Sequence, residues 1–107
     1  MKIYNKLVRD KIPEIIASQG KKVTFRQIND DEYEKALKDK LFEEVNELVK
    51  AKTPEQITEE LVDILEVLDA IRLYHFVGNN TIRNKREEKH TERGGFLEGY
   101  FLVSVEE

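Results

Sequence analysis

The sequence predicts an all-α fold, a helical bundle built on a long antiparallel helix hairpin, with short extended segments near the termini. Two apolar stripes and the signal between them predict it. Tyr33, Leu37, Leu41, Val45 and Leu48 recur at spacings of three and four, and so do Ile57, Leu61, Ile64, Leu65, Leu68 and Ile71. Between the stripes, Thr53-Pro54-Glu55-Gln56 offers a capping threonine, a proline at the first helical position and a glutamine able to complete a reciprocal cap. One helix must therefore stop and a second start within a few residues, and two long helices joined by so short a turn lie antiparallel.

The elements follow in chain order. Pro13 reads as the first turn of a short helix, Ile12 to Gln19, which Gly20 is placed to terminate. Lys22 to Ile28, with Val23, Phe25 and Ile28, reads as extended. Asn29 followed three residues later by Glu32 has the form of a capping box and opens the first long helix, which runs to about Ala51. The second long helix carries apolar residues off its main stripe as well, at Val62, Val67 and Leu73, so it belongs at the centre of a bundle. Gly78-Asn79-Asn80 is placed to end it, and Thr81 to Arg93 reads as a polar fourth helix or arm. After Gly94-Gly95, Phe96 to Val105 alternates too poorly to read as a strand, although Tyr100-Phe101-Leu102-Val103 favours extended backbone.

With 107 residues the chain fits one domain, 1–107, and a helical domain of this size commonly gains stability by self-association. Hydrophobic residues make up 39% and charged residues 37%, enough apolar content for a core and too much charge for a membrane span. Charges within Met1 to Lys11 occupy the place of a signal peptide's apolar stretch, so the expected location is the cytoplasm. The absence of cysteine excludes disulfides, thiolate zinc sites and a cysteine nucleophile. The sequon Asn79-Asn80-Thr81 reads as chance in a chain without a secretory signal.

A net charge of −4 gives the surface no general attraction for nucleic acid polymers. Its distribution is more informative. Basic residues gather at Lys2, Lys6, Arg9 and Lys11 and again from Arg83 to Arg93, while acids dominate from Glu43 to Asp69. Within that acidic stretch each long helix carries an i, i+3 pair, Glu44 with Glu47 and Glu60 with Asp63. At about 100° per residue the members of a pair lie about 60° apart, on one face beside the apolar stripe. The hairpin can thus converge four carboxylates.

Most acidic runs on helices are solvated faces. Three details argue for more here. Neither Glu60 nor Asp63 has a base three or four residues away on its own helix. Glu59, Glu60, Asp63, Glu66 and Asp69 all precede the first base, Arg72, on the most apolar helix, so something cationic must compensate them. The pairing is also repeated on two adjoining helices. Carboxylates without histidine or cysteine suit a hard cation, Mg²⁺ or Mn²⁺, and magnesium favours substrates that carry phosphates.

The residues resemble a known family. Lys40-Leu41-Phe42-Glu43-Glu44-Val45-Asn46-Glu47 and Glu59-Glu60-Leu61-Val62-Asp63 are similar to the two signature segments of the all-α nucleoside triphosphate pyrophosphatases, the MazG-like superfamily. The spacer, Leu48 to Glu59, falls within the family's range. Tyr4-Asn5-Lys6-Leu7-Val8-Arg9-Asp10-Lys11-Ile12-Pro13 resembles the start of a related group of house-cleaning pyrophosphatases. The resemblance implies hydrolysis of a nucleoside triphosphate, canonical in base or not, to the monophosphate and pyrophosphate. It makes Glu44, Glu47, Glu60 and Asp63 metal ligands, with Glu43 as a further catalytic carboxylate, and implies a homodimer or homotetramer. Phosphoribosyl-ATP pyrophosphohydrolase, a relative with similar metal–carboxylate chemistry, is the alternative substrate assignment.

Lys6, Arg9 and Lys11 are candidates for the substrate's phosphate chain, because cationic donors match phosphate oxygens and arginine does so bidentately. Arg93-Gly94-Gly95-Phe96 is a candidate for a second phosphate contact and an aromatic surface. His75 and His90 follow no metal spacing and receive no role. Tyr74 and Phe76 read as core or interface. A reading from another class is a non-catalytic helical interaction module with an acidic face. It accounts for the charge segregation but not for two matched acidic pairs beside apolar positions.

Overall fold

The computed structural model describes residues 1–106. It contains α1 (Ile12–Ser18), α2 (Asp30–Lys50), α3 (Pro54–Tyr74) and α4 (Asn79–Arg93), with no strand among the described residues. The all-α expectation holds. The chain divides into two compact units, the first Met1–His75 and the second beginning at Phe76.

The first unit is organised by α2 and α3, which pack on each other across a three-residue connection, 51–53. The expected stop and start are both realised. The Thr53 side chain accepts a hydrogen bond from the Gln56 N–H at 3.1 Å, and Gln56 Oε1 accepts from the Thr53 N–H at 3.3 Å. With Pro54 in the first turn, two otherwise orphaned N–H groups are satisfied at the base of the hairpin. At its open end, the rings of Tyr33 and the half-buried Tyr74 meet edge to face with centroids 5.5 Å apart.

The start of α2 differs from the expected capping box. Asn29 occupies the capping position without making a side-chain capping bond. Asp30 takes a left-handed backbone, φ 51°, which turns the chain before the helix is established. Glu32, the would-be reciprocal partner, instead accepts both guanidinium nitrogens of Arg26, at 3.1 and 2.5 Å. A charged bidentate partner outcompetes a backbone amide for the same carboxylate. The end of α3 also lies earlier than the sequence implied. The helix stops at Tyr74, and Phe76 takes the left-handed backbone, φ 56°. Gly78, extended at φ −68° and ψ 147°, caps the start of α4 instead.

Before the hairpin, α1 has its proline in the first turn, and Gly20 closes it in a left-handed conformation, φ 79°, with its N–H donated to the Ala17 carbonyl at 3.0 Å. The second unit holds α4, which ends at Gly94, φ 78°, whose N–H donates to His90 at 2.8 Å. Beyond it residues 96–106 form no helix or strand. Phe76 is 95% exposed and therefore no part of a core.

The seam between α2 and α3 is narrow. Leu37 and Val67 are the buried apolar side chains among the described residues, and the third buried residue is an acid, Glu44. The outer stripes tell the complementary story. Phe42, Val45 and Val49 on α2 and Leu61, Leu65 and Leu68 on α3 recur at helical spacing, and all six are exposed. No helix is long and apolar enough to cross a membrane among the described residues.

Because the reciprocal cap fixes where α3 begins, Thr53→Ala is expected to lower stability by about 1 kcal/mol. Urea denaturation with an unchanged midpoint would show that the bond contributes nothing.

Candidate metal centre on the helix hairpin

Helical periodicity and the hairpin together decide which acids meet. Glu44 lies two turns beyond Leu37 on α2, and Glu60 lies two turns before Val67 on α3, so both sit on the stripe that faces the seam. Asp63, one turn from Glu60, borders the same seam. The result is a cluster in which one carboxylate oxygen from each of Glu44, Glu60 and Asp63 lies within 4.8 Å of the other two. Glu44 is buried, and Glu60 and Asp63 are half-buried.

Glu47, the fourth expected ligand, stands one turn along α2 and is exposed. It is not part of the close triad, although its charge still bears on Glu60. Glu43 is outside the close triad and is drawn into ion pairs. Lys6 Nζ donates to Glu43 Oε1 at 2.7 Å, and Lys40 Nζ lies 3.2 Å from Oε2. Lys40 also reaches Glu44, at 3.5 Å, with only 17% of its side chain exposed. The sequence reading passed over Lys40 even though its i, i+4 spacing from Glu44 was visible.

The missing bases for α3 come from the N-terminal segment. Arg9 donates to Asp63 Oδ1 at 2.7 Å and lies 3.6 Å from Glu66. Of the cations proposed for phosphate, Lys6 and Arg9 are therefore at the edge of the cluster. Lys11 is exposed, sits at the capping position of α1 and makes no ion pair among the described residues. Arg93 is the last residue of α4, in the second unit, as are Gly94, Gly95 and Phe96. Asn5, in a left-handed conformation at φ 45°, turns the backbone just before Lys6. Lys6, Lys40 and Glu43 line a crevice of about 90 Å³ between this segment and α2.

The electrostatics divide the cluster in two. Burial would push the Glu43 carboxyl up, but hydrogen bonds from Lys6 and Lys40 outweigh it and hold the group below the ordinary carboxylate range. The Lys6 ammonium is raised in return, chiefly by its bond to Glu43. Glu60 moves the other way. Burial pushes it up first, then a hydrogen-bonding contact with the Glu44 carboxyl, then the charges of Glu44, Asp63 and Glu47. Its Oε2 is buried with no hydrogen-bond partner. A buried, unpartnered acceptor amid like charges is an unsatisfied demand for a cation or a proton. Three carboxylates within coordinating distance, without nitrogen or sulfur donors, suit a hard divalent cation such as Mg²⁺ or Mn²⁺.

These shifts set a pH dependence. Glu60 binds its proton more tightly folded than unfolded, so its contribution to stability is full below the ordinary carboxylate pKa and lost as pH rises through the raised value. Glu43 has the opposite sign, contributing above the ordinary value and losing it as pH falls through the depressed one. Metal-free Glu60→Gln should therefore melt at a higher temperature than the parent at neutral pH, with the difference closing in mild acid. The same variant should lose the parent's rise in melting temperature on adding millimolar Mg²⁺ or Mn²⁺. A melt of the parent that ignores both cations would rule out a metal centre.

No family model matches the chain, and no solved structure matches it. An uncharacterized protein of Mycolicibacterium smegmatis (strain ATCC 700084 / mc(2)155) is 53% identical over 47 residues, which cover 44% of this chain. The chain thus spans about half, 48%, of the length of the curated relative it matches.

Proposed function

We propose that this protein is a Mg²⁺- or Mn²⁺-dependent pyrophosphohydrolase that converts a nucleoside triphosphate to its monophosphate and pyrophosphate. The observation that carries this reading is the convergence of Glu44, Glu60 and Asp63 within 4.8 Å, across two helices whose acidic segments resemble those of MazG-like enzymes. Supporting it are the orphaned Glu60 oxygen and the cations at one edge of the cluster.

In this reading Glu44, Glu60 and Asp63 hold the cation, with Glu47 as the fourth ligand from the next turn of α2. A bound divalent ion neutralises phosphate charge and lowers the pKa of a coordinated water. The chain's own residues then do three things. The carboxylates fix the direction from which water meets phosphorus, a role of positioning and electrostatics. Glu43, held as an anion by Lys6 and Lys40, would keep those two ammonium groups beside the site. Lys6 and Arg9 would present donors to the phosphate chain at the edge of the cluster.

The exposed stripes of Phe42, Val49 and Leu65 support a homo-oligomer, a homodimer or homotetramer, in which a second copy covers them. The same stripes also favour the second reading, an interaction module that uses the hairpin to bind a partner without catalysis. A cytoplasmic location fits both.

Pyrophosphate release measured on a panel of canonical and modified nucleoside triphosphates, with phosphoribosyl-ATP included, decides between these readings. We expect metal-dependent pyrophosphate and monophosphate, reduced by at least about a hundredfold in Glu60→Gln. Cleavage of phosphoribosyl-ATP alone would select the alternative substrate. No turnover by folded, metal-loaded protein would leave the interaction module.

A further inference from the structure

The cations on the N-terminal segment do more than decorate the cluster, and the contacts of Arg9 show how. Its guanidinium crosses from a segment 54 residues away to donate to Asp63 Oδ1 at 2.7 Å, with Glu66 at 3.6 Å as a second, looser partner. Half of the Arg9 side chain is exposed, and Asp63 is 36% exposed. The pair is thus open to water on one side. It is a site where a charge can be exchanged rather than one where it is locked.

Asp63 is also one of the three acids whose oxygens converge in the seam. A divalent cation held there lies beside a guanidinium, and like charges at that range repel. The same cation draws electron density from the Asp63 carboxylate and weakens it as a partner for Arg9. The arginine still has Glu66 to hold it near the site, and its planar fork of donors matches two phosphate oxygens. Lys6 stands differently. It is tied to Glu43, which is outside the converging triad, and shares that carboxylate with Lys40.

We propose that Arg9 is an exchangeable counter-ion: it neutralises Asp63 while the cation site is empty, gives that carboxylate up when the divalent ion binds, and then binds the triphosphate of the substrate. The proposal rests on the metal-dependent reading of the cluster. It assigns Arg9 two opposed effects on binding. The guanidinium lowers the site's affinity for a bare cation and raises its affinity for the metal-bound polyphosphate. A residue that merely clamped the N-terminal segment would shift both affinities in the same direction.

Calorimetric titration with Mn²⁺ alone, and with inorganic triphosphate in the presence of saturating Mn²⁺, separates these cases without needing turnover or knowledge of the base. Arg9→Met is expected to bind Mn²⁺ roughly threefold to tenfold more tightly than the parent. Its affinity for triphosphate should fall roughly tenfold to a hundredfold. Arg9→Lys keeps the charge and loses the fork, so its Mn²⁺ affinity should stay near the parent's while triphosphate binding remains weakened. It also carries the test if Arg9→Met does not fold. Weaker or unchanged Mn²⁺ binding in Arg9→Met, parent-like triphosphate binding in Arg9→Lys, or a parent that takes up Mn²⁺ but no triphosphate would each overturn the proposal while leaving the metal centre standing. A parent that takes up no Mn²⁺ would remove both.

Discussion

Everything in the first unit depends on the packing of α2 against α3, because that one seam makes the hairpin and also forces acids together. A hairpin of this length would ordinarily fill its seam with leucine and valine. Here Leu37 and Val67 are buried, but the position two turns along α2 is Glu44. Withdrawing a carboxylate from water costs several kcal/mol unless a partner replaces the lost hydration. Lys40 supplies part of that replacement to Glu44, and no hydrogen-bond partner among the described residues supplies it to the inner oxygen of Glu60. The apolar seam therefore holds a charge arrangement that it does not by itself satisfy, which is the physical basis for reading the cluster as a site.

The charge balance explains why the N-terminal segment lies where it does. Acids crowd α3 with no base on the same helix to offset them until Arg72, so neutralisation has to come from elsewhere in the chain. Arg9 and Lys6 meet that demand at Asp63 and Glu43. These are partly exposed pairs, and exposed pairs contribute little to stability individually. Their greater effect is on the local potential: they leave the outer carboxylate, Glu43, stabilised as an anion and the inner one, Glu60, short of positive charge.

Much of this was legible in the sequence, and the reasons differ by element. The two long helices and the turn between them were readable because periodicity and the Thr53–Gln56 cap are local signals that survive into the fold. The i, i+3 pairs were readable for the same reason, and the shortage of bases on α3 signalled a need for positive charge, which Arg9 meets in part at Asp63. What failed involved competition between partners. Asn29 and Glu32 have the form of a cap, but Arg26 takes the glutamate, and no spacing rule reveals which of two partners a carboxylate prefers. The end of α3 was placed at Gly78-Asn79-Asn80, yet the helix stops at Tyr74 and Phe76 takes the left-handed backbone. Glu47 was equivalent to Glu44 by spacing. The structure distinguishes them by burial, since only one of the two points fully into the seam.

The division of the triad between two helices carries a further implication. Glu60 and Asp63 ride on one rigid rod and Glu44 on another, so the distance between the two sets is fixed by the thickness of the side chains separating the rods rather than by the acids themselves. Leu37 and Val67 are that spacer, two turns from the cluster. A bulkier or slimmer residue at either place would widen or narrow the opening between the oxygens without altering a single donor. For the cation proposed to bind there, selection by radius would fall to hydrocarbon volume at positions outside the carboxylate cluster.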